Sequence, residues 1–301
     1  MLTLFKLGLK IALALLLIAY LYISYSIAAG VTKAERKAQE DNPANYGLNF
    51  QDVQFISRRG DVTLNGWYIP GNSRKPTIIF VHGISGTRST DKAVDLASRL
   101  VIKEYNVLLF DLRGHGDSEG EKISGGYFEQ EDVLGAFDYL VERGTPPQRI
   151  GLIGFSMGAG ISILAAAKEP AIQAVVADSP FANASELIAQ EVDRKTVFAQ
   201  WVAPIFVPTS KILANMLYGI DVGALVPEEA VKRFAYPILV IHGTADQRIP
   251  PEHGTRVYKA AHPDSVIWLV PGVEHVDAFL KHPDEYVDRV VDYFNRRLGT
   301  Q

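Results

Sequence analysis

The chain of 301 residues contains no cysteine. That absence excludes a disulfide framework, a thiolate metal site and a cysteine nucleophile, while leaving the redox compartment open. A basic surplus is missing too: 30 Lys+Arg stand against 34 Asp+Glu, a net charge of −4. Nucleic-acid binding needs a clustered basic surface, so no nucleic-acid partner is expected. No H-E-x-x-H pattern occurs among the seven histidines, and no metal or organic cofactor is implied. With 25 Gly, 16 Pro and 48% hydrophobic residues, the composition is that of a folded protein. No internal repeat is evident.

Charge is scarcest at the start. Lys6 and Lys10 are the only charged residues before position 31, and Ile11 to Val31 is a 21-residue run with none. The remainder carries 28 basic against 34 acidic side chains, −6. A helix of roughly 20 apolar residues crosses a bilayer, and Tyr20, Tyr22 and Tyr25 sit toward one end of the run, where amphipathic rings favour the interface. Residues 1–31 therefore read as a transmembrane anchor. The competing reading is a cleaved signal, with Lys6 and Lys10 as the basic region and Ser26-Ile27-Ala28 as a small-x-small site; the length of the run favours the anchor. Lys33, Arg36 and Lys37 nearly balance the two N-terminal lysines, so the orientation rule decides little. The working expectation is a single-pass protein with its body outside the cytoplasm.

Residues 32–50 are polar and read as a stalk. Val53–Ser57 and Val62–Tyr68, flanking Arg58-Arg59-Gly60-Asp61, suggest a hairpin. From there short apolar runs alternate with helical stretches. Strands are expected at Thr77–Val81, Val107–Phe110, Ile150–Phe155, Ala174–Ala177, Ile238–Ile241 and Val266–Val270, and helices near 88–102, 128–143, 157–168, 251–261 and 283–298. This alternation predicts an α/β fold: a mostly parallel sheet with helices on both faces. The stretch 181–235 breaks the rhythm. Val197, Phe198, Trp201, Val202, Ile205 and Phe206 recur at helical spacing, as do Ile212, Leu213, Met216 and Leu217. We read a helical cap inserted into a domain spanning 51–301, over the sheet's carboxyl edge, where such sheets bind ligands. The stripe serves packing, substrate contact or both.

The sharpest chemical signal is Gly154-Phe-Ser-Met-Gly158, between an apolar strand and an alanine-rich helix. The flanking glycines suit a strained strand-to-helix turn that exposes the Ser156 hydroxyl, at a helix N-terminus that favours negative charge. A serine needs a base. His275, in the loop after the last strand, is the candidate; His82 and His242, each before a glycine at a strand end, read as loop braces. Asp246, after the penultimate strand, is expected to orient His275, with Asp178 as its competitor. The backbone N–H groups of Met157 and Ile84, the latter within His82-Gly-Ile-Ser-Gly86, are the candidate oxyanion donors.

With Asp111-Leu-Arg-Gly-His-Gly-Asp-Ser118, His242-Gly-Thr-Ala-Asp246 and Gly272-Val-Glu-His275, these motifs resemble the α/β-hydrolase superfamily across residues 51–298. The order Ser156, Asp246, His275 is that of the family. The resemblance implies an α/β-hydrolase fold and a Ser-His-Asp acyl-enzyme mechanism, and it makes the Asp111–Ser118 loop structural, with no catalytic role for Arg113 or His115. The N-terminal span and the Asp178-Ser-Pro-Phe181 start of the cap resemble membrane-anchored esterases, lysophospholipases and monoacylglycerol lipases, and also proline-iminopeptidase-like hydrolases. The expected activity is hydrolysis of small-molecule carboxylic esters, with lipid-derived acyl esters favoured by the anchor and the apolar cap. Two alternatives stand beside it. One is an aminopeptidase or amidase using Glu186, Glu191 or Asp193 to hold an amine; the other is a catalytically silent binding protein.

Overall fold

In the computed structural model, residues 2–197, 201 and 203–299 are described, and they divide into two compact units. One unit comprises Ala34–Asn183 with Leu225–Gln301, the other Met1–Lys33 with Ala184–Ala224.

The larger unit is built on one eight-stranded sheet. Its strands are β1 (Gln51–Ile56), β2 (Thr63–Ile69), β3 (Thr77–Val81), β4 (Asn106–Phe110), β5 (Ile150–Phe155), β6 (Val175–Asp178), β7 (Leu239–Gly243) and β8 (Val266–Val270), in the order β1-β2-β4-β3-β5-β6-β7-β8. β1 and β2 form an antiparallel hairpin and β2 joins β4 antiparallel, while every other pairing is parallel. All residues of β3 through β7 are buried. That explains their unbroken apolar runs, since a parallel sheet covered on both faces has no solvent side to alternate toward. β1, at the edge, turns only Val53 and Phe55 inward and shows the alternation the interior strands lack.

Helices α2 (Ala93–Ile102), α3 (Glu129–Glu142), α4 (Met157–Ala166), α7 (Pro227–Ala230), α8 (Pro251–Ala260), α9 (Ala278–Lys281) and α10 (Pro283–Leu298) complete this unit. The smaller unit holds α1 (Leu2–Val31), α5 (Ile188–Lys195) and α6 (Ala203–Tyr218). The second helical stripe read from the sequence falls within α6; Phe198 and Val202 of the first lie outside the described residues.

Residues 32–50, read from the sequence as a polar stalk, make specific hydrogen bonds. From Ala34 on they are bound to the body. The Arg36 guanidinium donates to the carbonyls of Gly116 (3.0 Å), Ser118 and Gly120 (2.8 Å). Gln39 Nε2 donates to Asp111 Oδ2 at 2.9 Å, and the Glu40 N–H donates to Ser89 Oγ at 2.7 Å. Polarity does not distinguish a segment that solvates itself from one that satisfies another loop's carbonyls.

Backbone approach sets the helix positions. A Cβ at Gly135 of α3 would lie 2.4 Å from the Ile56 carbonyl oxygen and 2.8 Å from Ser57 Cα. We predict that Gly135→Ala, although it improves helix propensity by about 1 kcal/mol, destabilises the protein by about 1–3 kcal/mol through overpacking, measured by denaturant unfolding.

Candidate active site

Ser156 lies between β5 and α4 with φ 56° and ψ −120°, a left-handed conformation costly for any residue with a Cβ. Its neighbours make the turn possible. A Cβ at Gly158 would meet the Val81 carbonyl oxygen at 2.0 Å, and one at Gly154 would meet the Gly158 oxygen at 2.3 Å. The two glycines thus let the first turn of α4 seat directly on the ends of β3 and β5. The Ser156 N–H donates to the Asp178 carbonyl (2.8 Å), pinning the turn to β6.

The structure brings the three expected side chains together. Ser156 Oγ lies 2.8 Å from His275 Nε2, and His275 Nδ1 lies 2.7 Å from Asp246 Oδ2. Ser156 is buried, the Asp246 carboxylate fully so, and His275 keeps 16% of its side chain exposed. Gly243 makes the meeting of their loops possible: the His275 loop passes so near that a Cβ there would lie 2.2 Å from the Val273 oxygen. The Ala245 N–H then donates to that oxygen at 2.9 Å, joining the two loops.

Four donors converge on Asp246. Oδ1 accepts the backbone N–H groups of Arg248 and Ile249, each at 2.9 Å. Oδ2 accepts from His275 and, at 3.2 Å, from His242 Nε2, whose proton is shared with the Ile249 carbonyl at 2.9 Å. Burial alone would raise this carboxyl. Hydrogen bonds from His242, His275 and the Ile249 N–H, with attraction to His275, outweigh it and hold Asp246 well below the usual carboxylate range.

Ile84 and Met157 also lie where the sequence suggested, on the loop after β3 and at the first position of α4. Among the described residues neither backbone N–H has an acceptor. Gly83 brings the two segments into contact, since a Cβ there would sit 3.1 Å from Ser156 Cβ. Two histidines fix this loop from outside. His82 Nδ1 donates to the Gly83 carbonyl at 2.8 Å, and Nε2 accepts the Leu112 N–H at 3.0 Å. His115 Nδ1 donates to the Arg113 carbonyl at 2.8 Å, and Nε2 accepts the Ser85 N–H at 3.2 Å. Burial, with the neighbouring His115, pushes His82 down to about 3, so it holds the loop as a neutral ring.

The sequence profile of the alpha/beta hydrolase fold family matches residues 76–226, half of the chain. The chain belongs to the α/β-hydrolase fold family. The uncharacterized protein YfhR of Escherichia coli (strain K12) is 29% identical to this hydrolase-fold chain over 262 residues, covering 83% of it and 82% of YfhR. Lysophosphatidylserine lipase ABHD12 of Rattus norvegicus is 27% identical over 245 residues, which are 73% of this chain and 59% of that protein. Among solved structures, the Pyrococcus furiosus esterase Pf2001 matches with a TM-score of 0.72 at 26% identity, over 89% of this chain and 100% of that one. Membership of the α/β-hydrolase family and these neighbours support hydrolase activity.

Among the other residues singled out from the sequence, Arg113 braces the α/β-hydrolase scaffold. Arg113 pairs with Asp132 (2.7 Å) and Asp61 (3.1 Å) away from the triad. Glu186 and Glu191 have polar partners of their own, and the Asp193 side chain lies outside the described residues.

Asp178 does not touch His275. Its oxygens accept from Ser179 Oγ and the Tyr286 hydroxyl, each at 3.0 Å. Sequence reasoning missed this pair, because Tyr286 lies on α10, 108 residues away. Burial raises Asp178 to about 6, against the lowering influence of Tyr286, Ser179 and the two nearby histidines. An acid raised in the native state binds protons there before the unfolded chain does, so Asp178 subtracts stability as pH climbs from its ordinary value through about 6. We predict that Asp178→Asn gains stability relative to the parent between pH 4 and pH 7, read by thermal unfolding at each pH. An unchanged difference would remove the buried carboxyl as its cause.

Proposed function

We propose that this chain is a membrane-tethered serine hydrolase of carboxylic esters. The observation that carries the reading is the unbroken hydrogen-bonded line from Ser156 Oγ through His275 to Asp246, with contacts of 2.8 and 2.7 Å. Ser156 attacks the ester carbonyl carbon as its proton passes to His275 Nε2. The oxyanion formed is received by the N–H groups of Ile84 and Met157, each such donor worth about 100–1000-fold in rate. The C–O bond to the alcohol then breaks, His275 returns its proton to that oxygen, and the acyl group stays on Ser156. Water, deprotonated by the same imidazole, releases the acid. Asp246 holds Nδ1–H in the required tautomer and stabilises the imidazolium; the four donors around it keep it ionised throughout.

Lipid-derived acyl esters are the substrates we favour. The support is the long apolar N-terminal helix, the apolar α6 in the insertion at about 181–235, and the similarity to a lysophosphatidylserine lipase. In this reading residues 1–31 anchor a catalytic domain outside the cytoplasm.

Three outcomes test the proposal. A fluorophosphonate probe labels the wild-type chain and not Ser156→Ala; equal labelling of both would overturn the nucleophile. Asp246→Asn lowers kcat by about 10⁴, whereas Asp178→Asn stays within an order of magnitude of the parent. On p-nitrophenyl esters and monoacylglycerols, kcat/KM holds or rises from acetyl to long acyl chains. A steep fall with chain length would sink the lipid assignment alone, and turnover of amino-acid amides without esters would replace it with the amidase reading.

A further inference from the structure

The smaller unit carries an apolar surface that its own packing leaves uncovered. From Thr196 to Ile220 the chain has a single charged residue, Lys211, and its Nζ is hydrogen-bonded to Ser185 Oγ at 3.0 Å. Trp201 is 78% exposed, Ile205 57%, Ile212 59% and Met216 74%. Ile205, Ile212 and Met216, spaced by seven and four residues, share one face of α6. The outer face of a helix bathed in water is ordinarily charged or polar. This one is not.

What the helix does pack against identifies the medium. α6 lies along α1, with the Tyr20 hydroxyl donating to the Ile205 carbonyl at 3.1 Å and sharing a 2.6 Å hydrogen bond with Thr209 Oγ1. The Tyr20 and Phe206 rings stand 5.2 Å apart. Further along, Tyr25 and Tyr218 pair through their hydroxyls. These contacts fall at the Tyr20–Tyr25 end of α1, where amphipathic rings favour the membrane interface, and they are polar contacts of the kind that join otherwise apolar helices at a membrane. α1 itself is long and apolar enough to span a membrane, and its outer side chains, Leu13, Leu16, Leu17 and Ile18 among them, are exposed. The uncovered face of α6 is thus continuous with that of the candidate membrane helix.

We infer that α6 (Ala203–Tyr218) enters the bilayer from its interface, beside the tyrosine end of α1, and is a second membrane-contacting element made of the hydrolase's own insertion. The Ile205, Ile212 and Met216 side chains, with Trp201 just before the helix, meet lipid acyl chains. The inference rests on the reading of α1 as a membrane helix, and adds that the chain touches lipid at two places far apart in sequence.

Tryptophan makes the test specific. Trp67 and Trp268 are buried at 3% and 8% exposure, leaving Trp201 as the exposed tryptophan. The full chain is reconstituted into phosphatidylcholine vesicles with or without brominated acyl chains and recovered by flotation. We expect the chain to float, its emission to fall in brominated vesicles, and Trp201→Phe to lose that fall. The chain has no cysteine, so an environment-sensitive probe on Met216→Cys reports one position, and its emission shifts to the blue on reconstitution. A chain that does not float overturns the anchor and this inference together. A chain that floats with Trp201 unquenched and the Met216→Cys probe in water overturns this inference alone. Disulfide-linked dimers through Met216→Cys, without lipid quenching, would assign the face to a second copy instead.

Discussion

The seating of α4 on the carboxyl ends of β3 and β5 is the constraint on which the geometry of the candidate active site depends. Val81, Gly154 and Gly158 meet there through backbone atoms, closer than any Cβ would allow. That contact forces Ser156 into its left-handed turn, aims the Met157 N–H out of the helix start, and brings Gly83 against the serine. In the mechanism we propose, the helix dipole and the first unpaired amides face the place where negative charge would develop. A single helix–sheet contact thus sets both the Ser156 turn and the Met157 amide, the nucleophile and one oxyanion donor of the proposed mechanism.

Around that contact the protein uses different electrostatic treatments for similar groups. Asp246 and Asp178 are both buried at strand ends. Asp246 gathers four donors, two of them imidazoles, and stays charged; Asp178 has two hydroxyls and is pushed toward neutrality. The donor set, more than burial, separates a carboxylate able to stabilise an imidazolium from one that braces a loop. The histidines divide in the same way. His82 and His115 each have both ring nitrogens engaged with backbone groups, whereas His275 presents Nε2 to a serine hydroxyl.

Much of this was legible in the sequence because it depends on local pattern. The interior strands read as continuous apolar runs, and each observed strand lies within two residues of its expected bounds. Ser156, His275 and Asp246 could be placed because each follows a strand whose carboxyl end had to face one edge. Less legible were the features set by partners distant in sequence. Tyr286 on α10 holds Asp178, His242 helps to hold Asp246, and Arg36 satisfies three carbonyls of the loop at 116–120. Nothing local to residues 32–50 separates a free stalk from a strap. The grouping of α1 with α6 was equally hidden, for both helices read as apolar stripes without a declared mate.

Gly83 has a consequence for how selectivity can change in this protein. The spacing between the loop after β3 and Ser156 is set by a backbone-to-Cβ contact, with no side chain in between to trim or enlarge. A side chain at position 83 therefore requires Ser156 to give way by a few tenths of an ångström, a shift felt directly at its hydroxyl. Ile84 is different. Its amide is held in place by the loop while its half-buried side chain can be exchanged, so under the proposed mechanism a library aimed at new acyl groups finds more freedom there than one residue earlier.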